Sequence, residues 1–175
     1  TDTMVAAAII PALLADDLRR SFVIGLGTGS TAGEIAMLEG SEEVIVAEIS
    51  QAVIEANHLF GFANHDAWKH PKVRLLATDA YRALLRDRGQ FDLIVSEPSN
   101  PWVTGVEMLY SREFLEAVRS KLAPGGVFCQ WMHLYETDDA TVEMVLRTLQ
   151  AVFPDIAIWY GASRDLLILA FAEPP

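Results

Sequence analysis

The sequence predicts a doubly wound α/β domain with a mostly parallel, seven-stranded sheet that ends in an antiparallel hairpin. Short apolar runs rich in β-branched residues alternate with helical patterns along the chain, which is typical of a parallel sheet. The runs are apolar almost throughout, as expected for strands covered by helices on both faces. The five runs of this kind are Phe22–Leu26, Val44–Ile49, Val73–Ala77, Leu93–Val95 and Val127–Gln130.

The two ends of the chain differ from this alternating pattern. Ile156–Tyr160 and Leu166–Phe171 are apolar runs joined by a short turn at Gly161–Asp165, which predicts the antiparallel hairpin. Near the start, Met4–Leu14 is apolar but contains Pro11 and is too short to span a bilayer. We therefore expect a packed helix there, and no direct membrane insertion by this segment.

Composition and charge limit the domain count and the possible partners. The 175 residues are 51% hydrophobic, which suits a single domain over residues 1–175. With 13 Lys and Arg against 24 Asp and Glu, the formal charge is −11, which argues against a nucleic-acid partner. Cys129 is the single cysteine, so an intramolecular disulfide and a thiolate zinc site are excluded, and no metal site is indicated.

The cellular context follows from the same observations. A lone cysteine suits a reducing compartment, so we expect a cytoplasmic location. Because the chain begins at Thr1 rather than at a methionine, we expect it to be a fragment of a longer chain. We expect that longer chain to be either cytoplasmic throughout or attached to a membrane with this domain on its cytosolic side.

A glycine-rich turn and an acidic residue predict a nucleotide site. The first strand is followed by Gly25-Leu26-Gly27-Thr28-Gly29-Ser30-Thr31 and then by the predicted helix Ala32–Leu38, and glycines permit close approach of a ligand to the backbone. Glu48 lies 19 residues beyond Gly29, at the end of the strand Val44–Glu48, where it can accept hydrogen bonds from ribose hydroxyls. The alternatives are a simple tight turn and a surface glutamate.

Two further strand ends carry polar residues. Asp79 follows the third strand, where it can accept from the exocyclic amine of an adenine, cap the predicted helix Tyr81–Arg88, or do both. The fourth strand, Phe91–Ser96, is followed by a loop with the sequence Glu97-Pro98-Ser99-Asn100-Pro101-Trp102. Because prolines stiffen this loop at the ligand-binding edge of the sheet, we expect the reaction site here.

Aromatic residues lie near the same edge. Trp102 can form the wall of a pocket for a cationic or planar substrate, or it can simply pack while the prolines shape the connection. Trp131, His133 and Tyr135 are predicted to follow the fifth strand, and Tyr135 is a candidate contact to the acceptor.

Taken in order, these residues resemble the spermidine/spermine synthase family, within the class I S-adenosylmethionine-dependent methyltransferase fold, which is Rossmann-like. The resemblance covers nearly the whole chain. It includes Leu109-Tyr110-Ser111-Arg112-Glu113-Phe114 and Leu122-Ala123-Pro124-Gly125-Gly126, which are more typical of this family than of methyltransferases in general. It implies aminopropyl transfer from decarboxylated S-adenosylmethionine to a polyamine. The oligomeric state stays open, although dimers are common in the family.

The resemblance also implies roles for individual residues. The co-substrate, S-adenosylmethionine or its decarboxylated form, would be held by the glycine turn, the acid after strand two and the Asp-Ala pair, which gives Gly25, Gly27, Thr28, Gly29, Glu48, Asp79 and Ala80. Glu97 and Asn100 would be the catalytic residues, and Trp102 and Tyr135 would contact the acceptor.

This chain departs from the family pattern at three points. Thr28 stands where the family has an aspartate that meets the aminopropyl ammonium and disfavours the carboxylate of intact S-adenosylmethionine. Glu97 and Asn100 stand where the family loop has two aspartates. The amino-terminal β-rich subdomain of the family is absent from this sequence.

These departures leave four functions open. An aminopropyltransferase with Glu97 as the base is the first. A methyltransferase is the second, because Thr28 does not repel a methionine carboxylate. A non-catalytic nucleotide-binding domain of a larger protein is the third. A nicotinamide dehydrogenase comes last, because it does not account for the Asp79-Ala80 pair or the loop after Phe91–Ser96.

Overall fold

The computed structural model describes residues 2–98, 103–135, 137–161 and 164–173. Its strands are β1 (Arg20–Ile24), β2 (Glu43–Glu48), β3 (Val73–Ala77), β4 (Phe91–Ser96), β5 (Leu122–His133), β6 (Ile156–Tyr160) and β7 (Asp165–Phe171). Its α-helices are α1 (Asp2–Ala12), α2 (Ser30–Met37), α3 (Gln51–Ala56), α4 (Gly61–Asn64), α5 (Ala80–Arg86), α6 (Arg112–Lys121) and α7 (Asp139–Val152). Short 3-10 turns lie at Asn57–Phe60, Ala67–Lys69 and Glu107–Tyr110.

The sheet confirms the predicted fold class. Its seven strands are ordered β3-β2-β1-β4-β5-β7-β6. The pairs from β3 to β5 are parallel, whereas β7 is antiparallel to both β5 and β6, as predicted for the terminal hairpin. Because the strand order reverses between β1 and β4, a crevice opens at their carboxyl ends, where such sheets bind ligands.

Helices cover both faces of the sheet and produce two separate hydrophobic clusters. On one face, α1 and α2 pack against the strands through residues such as Ala7 and Ile35. On the other face, α5, α6 and α7 contribute Leu84, Leu115 and Leu149. The central strands are therefore buried on both sides, which explains their nearly continuous apolar sequence.

Four strands differ from their predicted bounds. Strands β2 and β7 each begin one residue earlier than predicted, at Glu43 and Asp165. Strands β1 and β5 also begin earlier, at Arg20 and Leu122, and their ends differ as well. Strand β1 ends at Ile24 rather than Leu26, because Gly25 has a φ of +87° and leaves the extended conformation. Strand β5 continues to His133, so Trp131 and His133 lie within this strand rather than after it. The antiparallel pairing with β7 extends the ladder to the His133–Asp165 pair, beyond the apolar run that predicted the strand.

Helix bounds shift by one or two residues. Helix α2 begins at Ser30 rather than Ala32, and α5 ends at Arg86 rather than Arg88. Helix α1 ends at Ala12, which leaves Leu13 and Leu14 exposed. Among the described residues, none of the helices has the length and apolar character that a membrane crossing requires.

Candidate active site

A cavity of about 590 Å³ lies at the carboxyl ends of β1, β2, β3 and β4. Six of the sequence-predicted site residues line it: Gly25, Gly27, Glu48, Asp79, Ala80 and Glu97. These residues come from four separate strand ends, and the parallel pairing brings them to one edge of the sheet. The structure therefore gathers the predicted motifs around one cavity.

The glycine turn forms one side of this cavity. Gly25 donates a hydrogen bond from its N–H to the carbonyl of Ala47 at 2.9 Å, and a Cβ atom at this position would lie 3.2 Å from the Glu97 carbonyl oxygen. Gly27 has a φ of +48° and open space where a Cβ would lie. A ligand can therefore approach the bare backbone at Gly27.

Glu48 is held in place by the backbone of its neighbours. Its Oε2 accepts a hydrogen bond from the N–H of Leu26 at 2.9 Å, and its Oε1 accepts one from the N–H of Ser50 at 2.8 Å. Because a carboxylate offers about four acceptor positions, it can still accept hydrogen bonds from a vicinal diol. Its place at the end of β2 fits the predicted ribose contact.

Asp79 caps helix α5, as the sequence predicted. Its Oδ1 accepts a hydrogen bond from the N–H of Arg82 at 2.7 Å, while the residue remains exposed and lines the cavity. The helix cap uses Oδ1, and the second carboxylate oxygen, Oδ2, can serve as an acceptor for a ligand. The capping role and the predicted adenine contact are therefore compatible.

Glu97 at the end of β4 is partly buried and makes a short contact with helix α2. Its Oε1 accepts a hydrogen bond from the Thr31 hydroxyl at 2.5 Å. Burial raises the pKa of Glu97 to about 7, and the Thr31 hydrogen bond opposes part of this rise. Nearby, burial together with the Glu97 carboxyl raises the pKa of the Cys129 thiol, which keeps this thiol neutral.

The sequence analysis missed the apolar wall of the cavity. Val106, Met108 and Leu109 line the cavity from the segment before α6, and Ile49 and Val53 line it beyond β2. Ile49 is 77% exposed, which is unusual for a large apolar side chain beside a buried strand, and a planar ring lying on it would cover it. Leu109 belongs to the Leu109–Phe114 motif, but nothing in the sequence of that motif indicated that Leu109 faces this cavity.

Other predicted site residues lie elsewhere. Thr28 and Gly29 belong to the glycine turn but are not part of the described cavity wall. Tyr135 is 48% exposed and stacks on His133 with 3.8 Å between ring centroids, so its contact with an acceptor stays a prediction. Asn100 and Trp102 lie outside the described residues. Within the described ranges, no three His, Cys, Asp or Glu side chains are grouped so as to hold a metal ion.

Comparison with known proteins decides the family. The profile described as "Spermine/spermidine synthase domain" matches residues 5–164, which is most of the chain. The chain belongs to the spermine/spermidine synthase family. The matched range contains the glycine turn, Glu48, Asp79 and Glu97.

Individual relatives are similar over much of this chain. It is 29% identical over 147 residues to a spermidine synthase of Dictyostelium discoideum, covering 81% of this chain and 50% of that protein. It is 30% identical over 151 residues to polyamine aminopropyltransferase 2 of Pseudomonas aeruginosa, covering 83% and 43%. The chain thus spans about half the length of the curated relatives it matches.

Solved structures agree on the fold. A spermidine synthase crystallised with the transition-state analogue AdoDATO superposes with a TM-score of 0.88 at 20% identity, covering 98% of this chain and 60% of that one. Human methyltransferase-like protein 13 in complex with SAH superposes with a TM-score of 0.75 at 22% identity, covering 99% and 80%. Both likenesses establish the methyltransferase-like Rossmann fold.

Proposed function

We propose that this domain binds decarboxylated S-adenosylmethionine and transfers its aminopropyl group to a polyamine. The observation that carries the proposal is the convergence of Glu48, Asp79 and Glu97 on one cavity in a member of this family. The relatives of this chain include proteins named spermidine synthase and polyamine aminopropyltransferase, and a spermidine synthase shares the fold.

The cavity offers complementary groups to each part of the co-substrate. The ribose hydroxyls would donate to Glu48, whose carboxylate is already oriented by two backbone N–H groups. The adenine would lie against the apolar wall that includes Ile49 and Leu109, with its amine donating to Asp79. The sulfonium arm would then extend past Gly27 towards Glu97.

The transfer itself requires an unprotonated amine and an aligned leaving group. The amine nitrogen attacks the carbon beside the sulfonium, a C–N bond forms, and the C–S bond breaks with its electron pair going to sulfur. The products are a lengthened polyamine and methylthioadenosine, a neutral thioether. The attacking nitrogen loses one proton, which the enzyme must accept.

Glu97 is our candidate for the group that accepts this proton. Its pKa of about 7 lies near the working pH of a cytoplasmic enzyme, where a general base is most effective. In the same proposal, Asn100 hydrogen-bonds the acceptor amine and Trp102 and Tyr135 contact the acceptor. The net charge of −11 favours the approach of a polycation.

Methyl transfer from intact S-adenosylmethionine is the second candidate. The observation that favours it is Thr28, a neutral residue whose hydroxyl lies 3.0 Å from the Ser30 hydroxyl. A threonine does not repel the methionine carboxylate as an aspartate would. The same fold is also found in methyltransferase-like protein 13.

Side-by-side calorimetric titration distinguishes these candidates. We expect methylthioadenosine and decarboxylated S-adenosylmethionine to bind at least about 10-fold more tightly than intact S-adenosylmethionine, because the methionine carboxylate would meet the Glu97 carboxyl at the end of the same arm. Equal or tighter binding of the intact form would transfer the proposal to methylation. If none of the three binds, the domain does not use this nucleotide.

The adenine contact is tested by Asp79→Asn. Asparagine keeps the Oδ1 that caps α5 and is itself a good N-cap, so the helix should be unaffected. It replaces Oδ2 with an amide that cannot accept from the adenine amine. We expect methylthioadenosine affinity to fall by about 10-fold, the scale of one hydrogen bond to a charged group, with an unchanged free energy of unfolding.

Asp138→Asn is the matched control for this substitution. Asp138 caps α7 in the same way, with its Oδ1 accepting from the N–H of Thr141 at 2.7 Å, and it does not line the cavity. The Asp138→Asn variant should bind methylthioadenosine with unchanged affinity. If Asp79→Asn binds methylthioadenosine as tightly as the control does, Asp79 has only the capping role.

A further inference from the structure

Two buried asparagines outside every recognised motif contact the back of the glycine turn. Asn57 and Asn64 lie between β2 and β3, and each is 0% exposed. The Nδ2 of Asn57 donates to the Gly27 carbonyl at 3.3 Å, and the Nδ2 of Asn64 donates to the Thr28 carbonyl at 2.8 Å. Asn64 also donates to the Oδ1 of Asn57 at 3.0 Å, which joins them into an asparagine pair.

Two glycines make room for this asparagine pair. A Cβ atom at Gly29 would lie 2.9 Å from side-chain atoms of both Asn57 and Asn64. A Cβ atom at Gly33, in α2, would lie 2.1 Å from the Asn64 carbonyl oxygen. The turn and the first part of α2 therefore pack directly against the segment that carries the pair.

The turn needs such support because its glycines are conformationally free. Gly27 and Gly29 both have positive φ values, +48° and +81°, in a segment that could adopt many other conformations. Hydrogen bonds to two successive carbonyls select one of them. Burying two amides at this place is favourable only while these bonds are made, because an unpaired buried amide is costly.

We propose that Asn57 and Asn64 are positioning residues that hold the glycine turn in the conformation that receives the nucleotide. This inference rests on the proposed function, since it concerns the same nucleotide. The pair touches the carbonyls of Gly27 and Thr28 from the protein side, while Gly27 lines the cavity. A turn that is ordered before binding spares the ligand the entropy of ordering it.

Asn64→Asp is the variant that tests the pair. It keeps the Oδ1 that accepts from the N–H of Ala67 at 3.4 Å, but it removes the donor to Thr28 and Asn57. Amide hydrogen exchange in the ligand-free protein and calorimetry with methylthioadenosine are the two measurements. We expect faster exchange at the Gly29 N–H and an affinity about 10-fold lower. That is the size of effect expected when one or two residues must become ordered on binding.

Leu149→Ala is the control for a purely structural effect. Leu149 is 1% exposed in α7 and belongs to the hydrophobic cluster on the opposite face of the sheet. It should lower the free energy of unfolding while leaving the affinity of the folded protein unchanged. If both variants lose affinity only in proportion to their unfolded fraction, the positioning role is overturned.

The pH dependence of the Asn64→Asp affinity provides a test that a purely structural role would not affect. Protonation of the introduced carboxyl restores one donor, so the affinity deficit of Asn64→Asp should shrink as pH falls. If Asn64→Asp does not fold, Asn57→Asp replaces it, because it loses the donor to Gly27 but keeps Oδ1 as the acceptor for Asn64. Unchanged exchange at Gly29 overturns this inference alone, whereas failure of the wild-type protein to bind methylthioadenosine overturns the proposed function.

Discussion

Glu97→Gln is expected to lower turnover by at least about 100-fold, the lower end of what a general base contributes. Glutamine has nearly the same shape and can still accept the hydrogen bond from Thr31, so the pocket should persist. It cannot accept the proton that the attacking amine must lose. Affinity for methylthioadenosine should therefore change by no more than about threefold, because binding and proton transfer depend on different groups.

The measurement is aminopropyl transfer to putrescine and to spermidine, followed as methylthioadenosine release, with affinity measured separately. Glu116→Gln is the control, since Glu116 is an exposed residue of α6 that pairs with Arg112 at 2.8 Å and lies away from the cavity. It should retain full turnover. A Glu97→Gln variant as active as this control would remove Glu97 from the role of base.

The same carboxyl should make the stability of the protein depend on pH. The folded-state pKa of Glu97, about 7, lies above its ordinary value of 4.5, so the folded protein holds this proton more tightly than the unfolded chain does. The stabilising contribution is therefore complete below pH 4.5 and is lost as pH rises through 7. Its magnitude is on the order of 3 kcal/mol, from 1.36 kcal/mol for each pKa unit.

Chemical denaturation of the wild type and Glu97→Gln at several pH values measures this effect. Other groups titrate in the same range, so the difference between the two proteins is the quantity that isolates Glu97. We expect similar free energies of unfolding at acid pH and a more stable Gln variant at pH values above about 7, where the wild type must charge the buried group. A difference that does not vary with pH would contradict a raised pKa at Glu97.

Thr31→Val extends the same experiment to the partner of Glu97. Valine keeps the shape of threonine but removes the hydroxyl, whose hydrogen bond lowers the Glu97 pKa against the effect of burial. The pKa of Glu97 should then rise further, and the loss of stability should continue to higher pH. An unchanged pH profile would show that the 2.5 Å contact with Thr31 does not control the ionisation of Glu97.

The expected effects of Glu97 on turnover and on stability have the same physical cause, the burial of its carboxyl. The proposed role as a base needs Glu97 ionised, whereas the surroundings of its carboxyl favour the neutral form. A base held near neutrality in this way can accept a proton and release it again. The free energy lost by charging Glu97 is the cost of placing a titratable group at the proposed reaction site.

Local sequence patterns were sufficient for the fold class and for most of the strands. Strands β3, β4 and β6 begin and end where the sequence predicted, at Val73–Ala77, Phe91–Ser96 and Ile156–Tyr160. These bounds are readable because apolar runs give way to turn residues within the chain itself. The C-terminal part of β5 was missed, since its length depends on pairing with β7, which lies far away in sequence.

The sequence by itself determined the candidate residues at the strand ends, because parallel strands must bring their carboxyl ends to a common edge. Only the tertiary structure decided which groups surround them. Thr31 and Glu97 are 66 residues apart, and Asn64 reaches Thr28 across 36. Such contacts depend on how helices pack over the sheet, and the side chains that make them follow no local period. The glycines at 29 and 33 could be recognised as unusual in the sequence, but the asparagines that need their missing side chains could be identified only in space.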